Sequence, residues 1–242
     1  MPPRPTLILL PGLDGTGRLF DPLVAALSDE MDVKVVSYPT DAVLDYPDLT
    51  DMVAEVVPTD MPFVILAESF SGPIALAYAA RRPPNLVGLI ICASFLTNPL
   101  PRWLLWPLRY VNAMIPNVRL PVPLYVVRRM LLSSDTSTEI VRALDEAVSS
   151  VETRVLRGRV ESIRTVDAGD ALRICATPIH YLRAGNDRLV GERGEKQFRA
   201  IHSNITFHTI GGPHLLLQSR PHEAATLIDS IVKRTSSEAS TA

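Results

Sequence analysis

Short apolar runs of strand length alternate along this chain with stretches whose apolar positions recur at helical spacing. This alternation is typical of a parallel sheet covered on both faces by helices. The predicted strands lie near residues 7–10, 33–38, 63–67, 86–93, 179–185 and 205–210. Helical patterns lie between them at about 20–27, 49–57 and 72–80, and after the last strand at about 223–233. We therefore expect an α/β fold with a mostly parallel sheet of about six strands.

The alternation is interrupted between about residue 97 and about residue 174, where the pattern indicates helices only. One of these helices is predicted to begin at Thr136-Ser137-Thr138-Glu139, which has the pattern of a capping box. We interpret 97–150 as a helical cap inserted after the fourth strand, between core segments 1–96 and 151–234. The small, polar tail 235–242 is expected to be disordered.

Composition narrows the class of protein. Hydrophobic residues make up 47% of the 242 residues and charged residues 21%, with a formal charge of -2, which gives no basic face for nucleic acid. No apolar run approaches the roughly 20 residues of a membrane span, and 1–6 is too short and proline-rich to predict a signal peptide. Cys92 and Cys175 provide no disulfide framework, so we expect reduced thiols and a cytoplasmic protein.

The loops that directly follow strands carry the candidate chemistry, because ligands of open parallel sheets bind outside the carboxyl ends of the strands. These loops are 11–17 after the first predicted strand, Ser69 after the third, 186–188 after the fifth and 211–214 after the sixth. We expect them to meet at one edge of the sheet.

Ser69 lies where the apolar strand 63–67 passes through a tight turn into the helix 72–80. A serine hydroxyl is a poor nucleophile at neutral pH, and it becomes reactive when a turn exposes it beside a general base and backbone N–H donors. The structural alternative is a serine that caps the helix N-terminus, a role that serine often fills.

From about residue 7 to about residue 232, apart from the cap, the chain resembles the α/β-hydrolase superfamily, in which nucleophile, acid and histidine follow one another in this order. The resemblance implies Ser69 as nucleophile, Asp187 as acid and His214 as base. The superfamily's Gly-x-Ser-x-Gly elbow has both glycines replaced here, by Ala67 and Ser71. Their small side chains are compatible with close packing of strand on helix.

Position separates the acid and the base from their competitors. Residues 94–98, where some relatives place the acid, contain no carboxylate, although a turn aspartate held by local hydrogen bonds is the alternative for Asp187. Among the five histidines, only His214 directly follows the last predicted strand. The other four lie in predicted strands, in a loop and at the start of the last helix: His180, His208, His202 and His222.

The resemblance also implies an oxyanion hole made by the backbone N–H groups of Phe70 and Leu13. Pro11 stands where many relatives have histidine, which removes one backbone donor but leaves the Leu13 N–H in place. Small residues in 12–17 would let this loop approach a substrate closely. A phosphate-binding loop is the rival interpretation, and it is weak because no lysine follows the glycines.

Two further features remain open from the sequence. Glu68 is expected to be a carboxylate hydrogen-bonded within the turn, with electrostatic shaping of the site as the alternative. The apolar and basic stretch 103–129 is interpreted as a cap over an apolar pocket, while a helical hairpin buried on the core or contact with a membrane surface are the alternatives.

These inferences predict a serine hydrolase that cleaves a carboxylic ester with an apolar acyl or alcohol part, through an acyl-enzyme intermediate on Ser69. No metal or organic cofactor is expected. An acyltransferase with the same triad is the nearest alternative, and a non-catalytic ligand-binding member of the fold is the second. Dehalogenase chemistry is disfavoured, because its nucleophile is an aspartate.

Overall fold

A computed structural model describes residues 5–99 and 124–239 of the chain. Its strands are β1 (Thr6–Leu10), β2 (Val33–Val35), β3 (Phe63–Glu68), β4 (Leu86–Cys92), β5 (Ile179–Ala184) and β6 (Ile205–Ile210). They form one sheet in the order β2-β1-β3-β4-β5-β6, and every neighbouring pair is parallel. The predicted α/β architecture is thus confirmed, and all six carboxyl ends lie at one edge of the sheet.

Helices surround the sheet. The α-helices of the described residues are α1 (Asp21–Ala26), α2 (Tyr46–Val56), α3 (Gly72–Ala79), α4 (Leu124–Leu131), α5 (Thr138–Ser149), α6 (Thr153–Thr165), α7 (Gly169–Ile174), α8 (Gly191–Ile201), α9 (Leu216–Ser219) and α10 (Pro221–Ala239). Short 3-10 turns cover Arg18–Phe20 and Ser69–Ser71. None of the helices in the described ranges is both long and apolar enough to cross a membrane.

Alternate residues of the central strands are buried against opposite faces of the sheet, as the strand geometry requires. Ile8 and Ile65 belong to one hydrophobic cluster with side chains of α2, α3 and α7. Leu7 and Val64 belong to the other cluster, with side chains of α1 and α10. Every residue of β1 and β3 is buried, which explains why these strands have continuous apolar sequences rather than alternating ones.

Several element bounds differ from the sequence prediction. β2 ends at Val35, although the backbone continues beside β1 with a hydrogen bond from Val36 N to Leu9 O. α2 begins three residues before the predicted start, because Asp45 and Asp48 form a capping box with each other's backbone N–H groups. α8 was not predicted from the sequence, where glycines 191 and 194 interrupt its helical pattern.

The last helix is longer than predicted and continues to Ala239, whereas the sequence predicts a disordered tail from residue 235. Residues 240–242 lie outside the described residues. Thr235 is buried and donates from Oγ1 to the carbonyl oxygen of Ile231 over 2.9 Å. It also lies against β4, since a Cβ on Gly88 would be 3.1 Å from its methyl group. Packing on the sheet therefore extends the helix into a polar sequence.

The chain leaves the sheet after β4 and returns to it close by. Ala168 N donates to Leu96 O over 2.9 Å, and Thr97 and Asp167 form an isolated antiparallel bridge. α4, α5 and α6 lie between these two points. α5 has Ser137 as its N-cap, one residue later than predicted, with Ser137 Oγ accepting from Ile140 N over 3.4 Å. Residues 100–123 of the predicted cap, with both tryptophans, lie outside the described residues, so the cap boundaries 97–150 remain a prediction.

Candidate active site

Ser69 lies at the carboxyl end of β3 in a backbone conformation that few residues adopt. Its φ is +48°, and it begins the 3-10 turn that leads into α3. Ser94, which follows β4, donates from Oγ to the carbonyl oxygen of Ser69 over 2.5 Å. A Cβ on Gly72 would lie 2.7 Å from the Ser94 Cβ, so the absence of a side chain at Gly72 lets Ser94 approach the turn. The strained turn leaves the Ser69 side chain partly exposed at the carboxyl edge of the sheet.

The structure brings the three residues of the predicted triad together. His214 Nε2 lies 2.9 Å from Ser69 Oγ, and His214 Nδ1 lies 2.8 Å from Asp187 Oδ2. The side chains of His214 and Asp187 are only 2% and 1% exposed. The histidine is thus held between a hydroxyl and a carboxylate, almost out of contact with water.

The charges of the site decide which nitrogen of His214 carries the proton. Burial raises the pKa of Asp187, but the nearby His214 and hydrogen bonds to the carboxylate outweigh it, so that the net pKa is lowered. An ionised carboxylate only accepts hydrogen bonds. His214 Nδ1–H must therefore donate to Asp187, which leaves Nε2 of the neutral imidazole to accept from the Ser69 hydroxyl. This is the tautomer that a general base for Ser69 requires.

Local hydrogen bonds fix the Asp187 carboxylate at the end of β5. Its Oδ1 accepts from Leu189 N over 2.7 Å and from Val190 N over 3.0 Å, while Oδ2 accepts from His214. The sequence presented a turn aspartate and a triad acid as alternatives. In the structure one carboxylate makes both sets of contacts, one with each oxygen.

Ser71, which replaces the second glycine of the elbow motif, has a contact that the sequence did not reveal. Its Oγ donates to the carbonyl oxygen of Pro11 and lies 2.7 Å from the hydroxyl of Tyr38. The Tyr38 ring is buried and packs edge-on against Phe70. Ser71 thereby connects the elbow to the loop after β1, which glycine at this position could not do through a side chain.

Glu68 does not make the contact expected from the sequence. It is buried, and its carboxylate accepts from Gln218 Nε2 at 3.1 and 3.3 Å. Gln218 belongs to α9 and not to the turn that contains Glu68. Burial raises the pKa of Glu68 to about 7, although Gln218 and His214 lower it in part. The expected hydrogen bond within the turn is wrong, because Gln218 reaches the carboxylate only through the packing of α9.

The two amides expected in the oxyanion hole lie in suitable local structures. Phe70 is the second residue of a 3-10 turn, where the N–H group has no acceptor within the turn. For the Leu13 N–H no acceptor is found within the described ranges. Both donors are thus free of competing protein acceptors there, while their role in an oxyanion hole remains a prediction.

The other histidines do not join this site. His180 and His208 lie on β5 and β6 and contact each other, with 3.0 Å between Nδ1 and Nε2. His202 directly follows α8, and the exposed His222 lies in the first turn of α10. In the part of the chain that the structure describes, no cluster of three or more His, Cys, Asp and Glu side chains could hold a metal ion.

A cavity of about 490 Å³ is lined mainly by the loops after β1 and β2. Its walls are mixed, with hydroxyl, charged and apolar groups. They are formed by Thr16, Arg18, Ser37, Tyr38, Pro39, Thr40, Asp41, Met52 and Ser150. Tyr38 therefore contributes to the wall of this cavity and also contacts Ser71 of the elbow through its hydroxyl.

Comparison with solved structures finds the same fold in proteins of distant sequence. The chain superposes on a thermophilic esterase from Thermogutta terrifontis with a TM-score of 0.77 and 18% identity, over 97% of this chain and 92% of that one. An enol-lactonase from Burkholderia xenovorans gives 0.75 and 15%, over 95% and 92%. A proline iminopeptidase from Mycobacterium smegmatis gives 0.71 and 18%, over 99% and 92%. Identities this low establish the fold alone.

Sequence comparison identifies the family more directly. No curated protein matches the chain significantly. The family model for serine aminopeptidase, S33, matches residues 27–217, which include most of the sheet and all three residues of the predicted triad. Since this match covers more than half of the chain and the fold agrees with it, the protein belongs to the S33 serine aminopeptidase family of α/β hydrolases.

Proposed function

We propose that this protein is a serine hydrolase that cleaves a carboxylic ester through an acyl-enzyme intermediate on Ser69. The observation that supports the proposal is the continuous chain of hydrogen bonds from Ser69 Oγ through His214 to Asp187, with donor–acceptor distances of 2.9 and 2.8 Å. The side chains come from loops after β3, β5 and β6, and a purely structural helix cap would not need the other two.

The proposed reaction has two steps. Ser69 Oγ attacks the ester carbonyl while His214 Nε2 takes its proton, and the amides of Phe70 and Leu13 stabilise the tetrahedral anion. The C–O bond to the alcohol then breaks, and His214 returns the proton to the leaving oxygen. In the second step water attacks the acyl group with His214 as base, which releases the acid and restores Ser69. The reaction requires no cofactor.

An ester is favoured over a peptide with a free amino terminus, although the family model is that of an aminopeptidase. A carboxylate would be needed to bind the substrate ammonium group. Two buried carboxylates beside the site are already engaged: Glu68 by Gln218 and Asp14 by Thr16. The segment 97–134 contains no Asp or Glu, so an uncharged, apolar acyl group suits this chain better.

The test combines covalent labelling with turnover. A fluorophosphonate probe should label the wild-type protein and fail to label Ser69→Ala. On p-nitrophenyl esters of increasing acyl length, His214→Ala should lose about 10⁴-fold or more in kcat/KM. His222→Ala is the matched control, since the residue is exposed on α10, and it should retain wild-type turnover. Equal turnover by wild type and His214→Ala, or a wild-type protein that neither labels nor turns over any ester, would refute the proposal.

Two further measurements separate ester hydrolysis from aminopeptidase and acyltransferase activity. Amino-acid p-nitroanilides of matched side chain should be cleaved far more slowly than the corresponding esters, and the reverse order would identify an aminopeptidase. Addition of an acceptor alcohol should leave free acid as the main product. If the transferred ester dominates at low acceptor concentration, the protein is an acyltransferase with the same triad.

A further inference from the structure

Arg159 is a cation buried beneath the loop after β1. It lies in α6 and is 2% exposed, although arginine is almost never fully buried without partners. Its Nη1 donates to Leu13 O over 3.0 Å and to Asp14 O over 2.6 Å, and its Nη2 donates to Pro39 O over 2.8 Å. One guanidinium thus binds three backbone carbonyls in two loops at the carboxyl edge of the sheet.

The loop after β1 is shaped to receive this group. Gly15 has φ +72°, and a Cβ at this position would lie 2.8 Å from Arg159 Cζ. Any side chain at 15 would displace the guanidinium. The loop is held on its other side by the Ser71 hydroxyl, which donates to Pro11 O. The segment that contains the Leu13 amide is therefore fixed from two directions, by α6 and by the elbow.

The charge on Arg159 is not matched by a direct ion pair with a carboxylate among the described contacts. Burial lowers the pKa of Arg159, while the nearby charge of Asp14 opposes the shift. The Asp14 carboxylate itself accepts from Thr16, from N over 2.9 Å and from Oγ1 over 2.5 Å. The direct partners of the guanidinium are thus peptide carbonyls, which fix the loop backbone rather than a side chain.

We propose that Arg159 is a positioning residue for the oxyanion hole. By holding the carbonyls of Leu13 and Asp14, it fixes the orientation of the neighbouring Leu13 N–H. The inference rests on the proposed function, in which this amide stabilises the tetrahedral anion. Because the bound substrate does not yet carry this negative charge, correct orientation of the amide lowers the barrier without tightening substrate binding.

The test uses Arg159→Met, which keeps most of the side-chain length and removes the donors, with Arg157→Met as the matched control on the exposed face of α6. We expect Arg159→Met to lower kcat on the best ester about 10- to 100-fold, with KM within about twofold of wild type, because removal of one oxyanion donor costs about 10²- to 10³-fold. Arg159→Lys should recover part of the loss, and Arg157→Met should match wild type.

A transition-state analogue gives the readout that a merely structural role would not change. A boronic acid, which forms a tetrahedral adduct with Ser69, should bind Arg159→Met more weakly by the factor lost in kcat/KM, while the product acid binds as to wild type. Gly15→Ala should likewise weaken boronate binding while product binding stays as in wild type. The loss in kcat caused by Gly15→Ala should be smaller in the Arg159→Lys protein than in wild type.

Three results would overturn the inference. The first is that Arg159→Met keeps wild-type kcat, and the second is that it loses boronate and product binding in equal proportion. The third applies if Arg159→Met does not fold, and it is that Gly15→Ala changes KM alone. Absence of Ser69 labelling in the wild-type protein would instead contradict the proposed function. This result distinguishes failure of the proposed function from failure of the role of Arg159.

Discussion

His214 Nε2 lies 2.9 Å from Ser69 Oγ, although the two residues are separated by 145 positions of sequence. Ser69 follows β3 and His214 follows β6, which is three strands away in the sheet. The loop after β6 therefore reaches back along the carboxyl edge past β4 and β5. His214 is buried in this position, so the contact belongs to the packed structure and not to a mobile surface loop.

The activity of the protein should rise with pH through a pKa above the ordinary value of 6.5. Burial lowers the pKa of His214, but the charge and hydrogen bond of Asp187, with a contribution from Glu68, raise it above that value. Only the neutral imidazole accepts the Ser69 proton, so the protonated form at lower pH is inactive. The measurement is kcat/KM against pH, and an ascending limb centred below 6.5 would contradict this assignment.

Glu68→Gln should move that limb to lower pH. The ionised Glu68 carboxylate favours the charged form of His214, so its removal lowers the pKa of the histidine. Glu68 has a pKa of about 7, so the wild-type profile reports the coupled pair and the variant a single group. Glu55→Gln, exposed on α2, is the control and should keep the wild-type profile. A limb displaced to higher pH would show that Glu68 acts otherwise.

The contact between Ser71 and Tyr38 should make the effect of Tyr38→Phe on the free energy of unfolding depend on whether Ser71 is present. Ser71→Ala leaves the buried Tyr38 hydroxyl without its partner and should lower the free energy of unfolding by about 1–3 kcal/mol. Tyr38→Phe should cost less, since Ser71 keeps its bond to Pro11. In the Ser71→Ala protein, Tyr38→Phe should be neutral or stabilising. Denaturant unfolding of the four proteins measures this cycle, and simple additivity of two losses would refute it.

The two imidazoles on β5 and β6 should make stability depend on pH. Burial, and then the charges of His208 and Arg234, lower the pKa of His180 to about 4, so the unfolded chain binds its proton more readily than the folded one. This stabilising contribution is complete above pH 6.5 and is lost as the pH falls toward 4. It amounts to about 1–2 kcal/mol, allowing for partial exposure.

The comparison that isolates this effect is wild type against His180→Gln, because Glu68 titrates in the opposite sense over part of the same range. Between pH 7 and pH 4.5, the free energy of unfolding should fall further in wild type than in His180→Gln. A constant difference across this range would show that His180 does not titrate as described.

Much of the fold was predictable from the sequence, because the burial of β1, β3 and β4 on both faces is written directly into continuous apolar runs. The positions of Ser69, Asp187 and His214 were predictable for a related reason. In a parallel sheet the order of strands fixes which loops meet at the carboxyl edge, so residues directly after strands were the candidates without knowledge of any distance. The structure places these three side chains within hydrogen-bond distance of one another.

The sequence alone determined a parallel α/β sheet and the three loops on which a nucleophile, an acid and a base would stand. Only the tertiary structure decided the partners of Glu68, Ser71 and Arg159, which are Gln218, Tyr38 and the carbonyls after β1. Hydrophobic periodicity records which face of an element is buried. It carries no information on which buried polar groups meet, because those pairings depend on how separate elements pack at distances of a few ångströms.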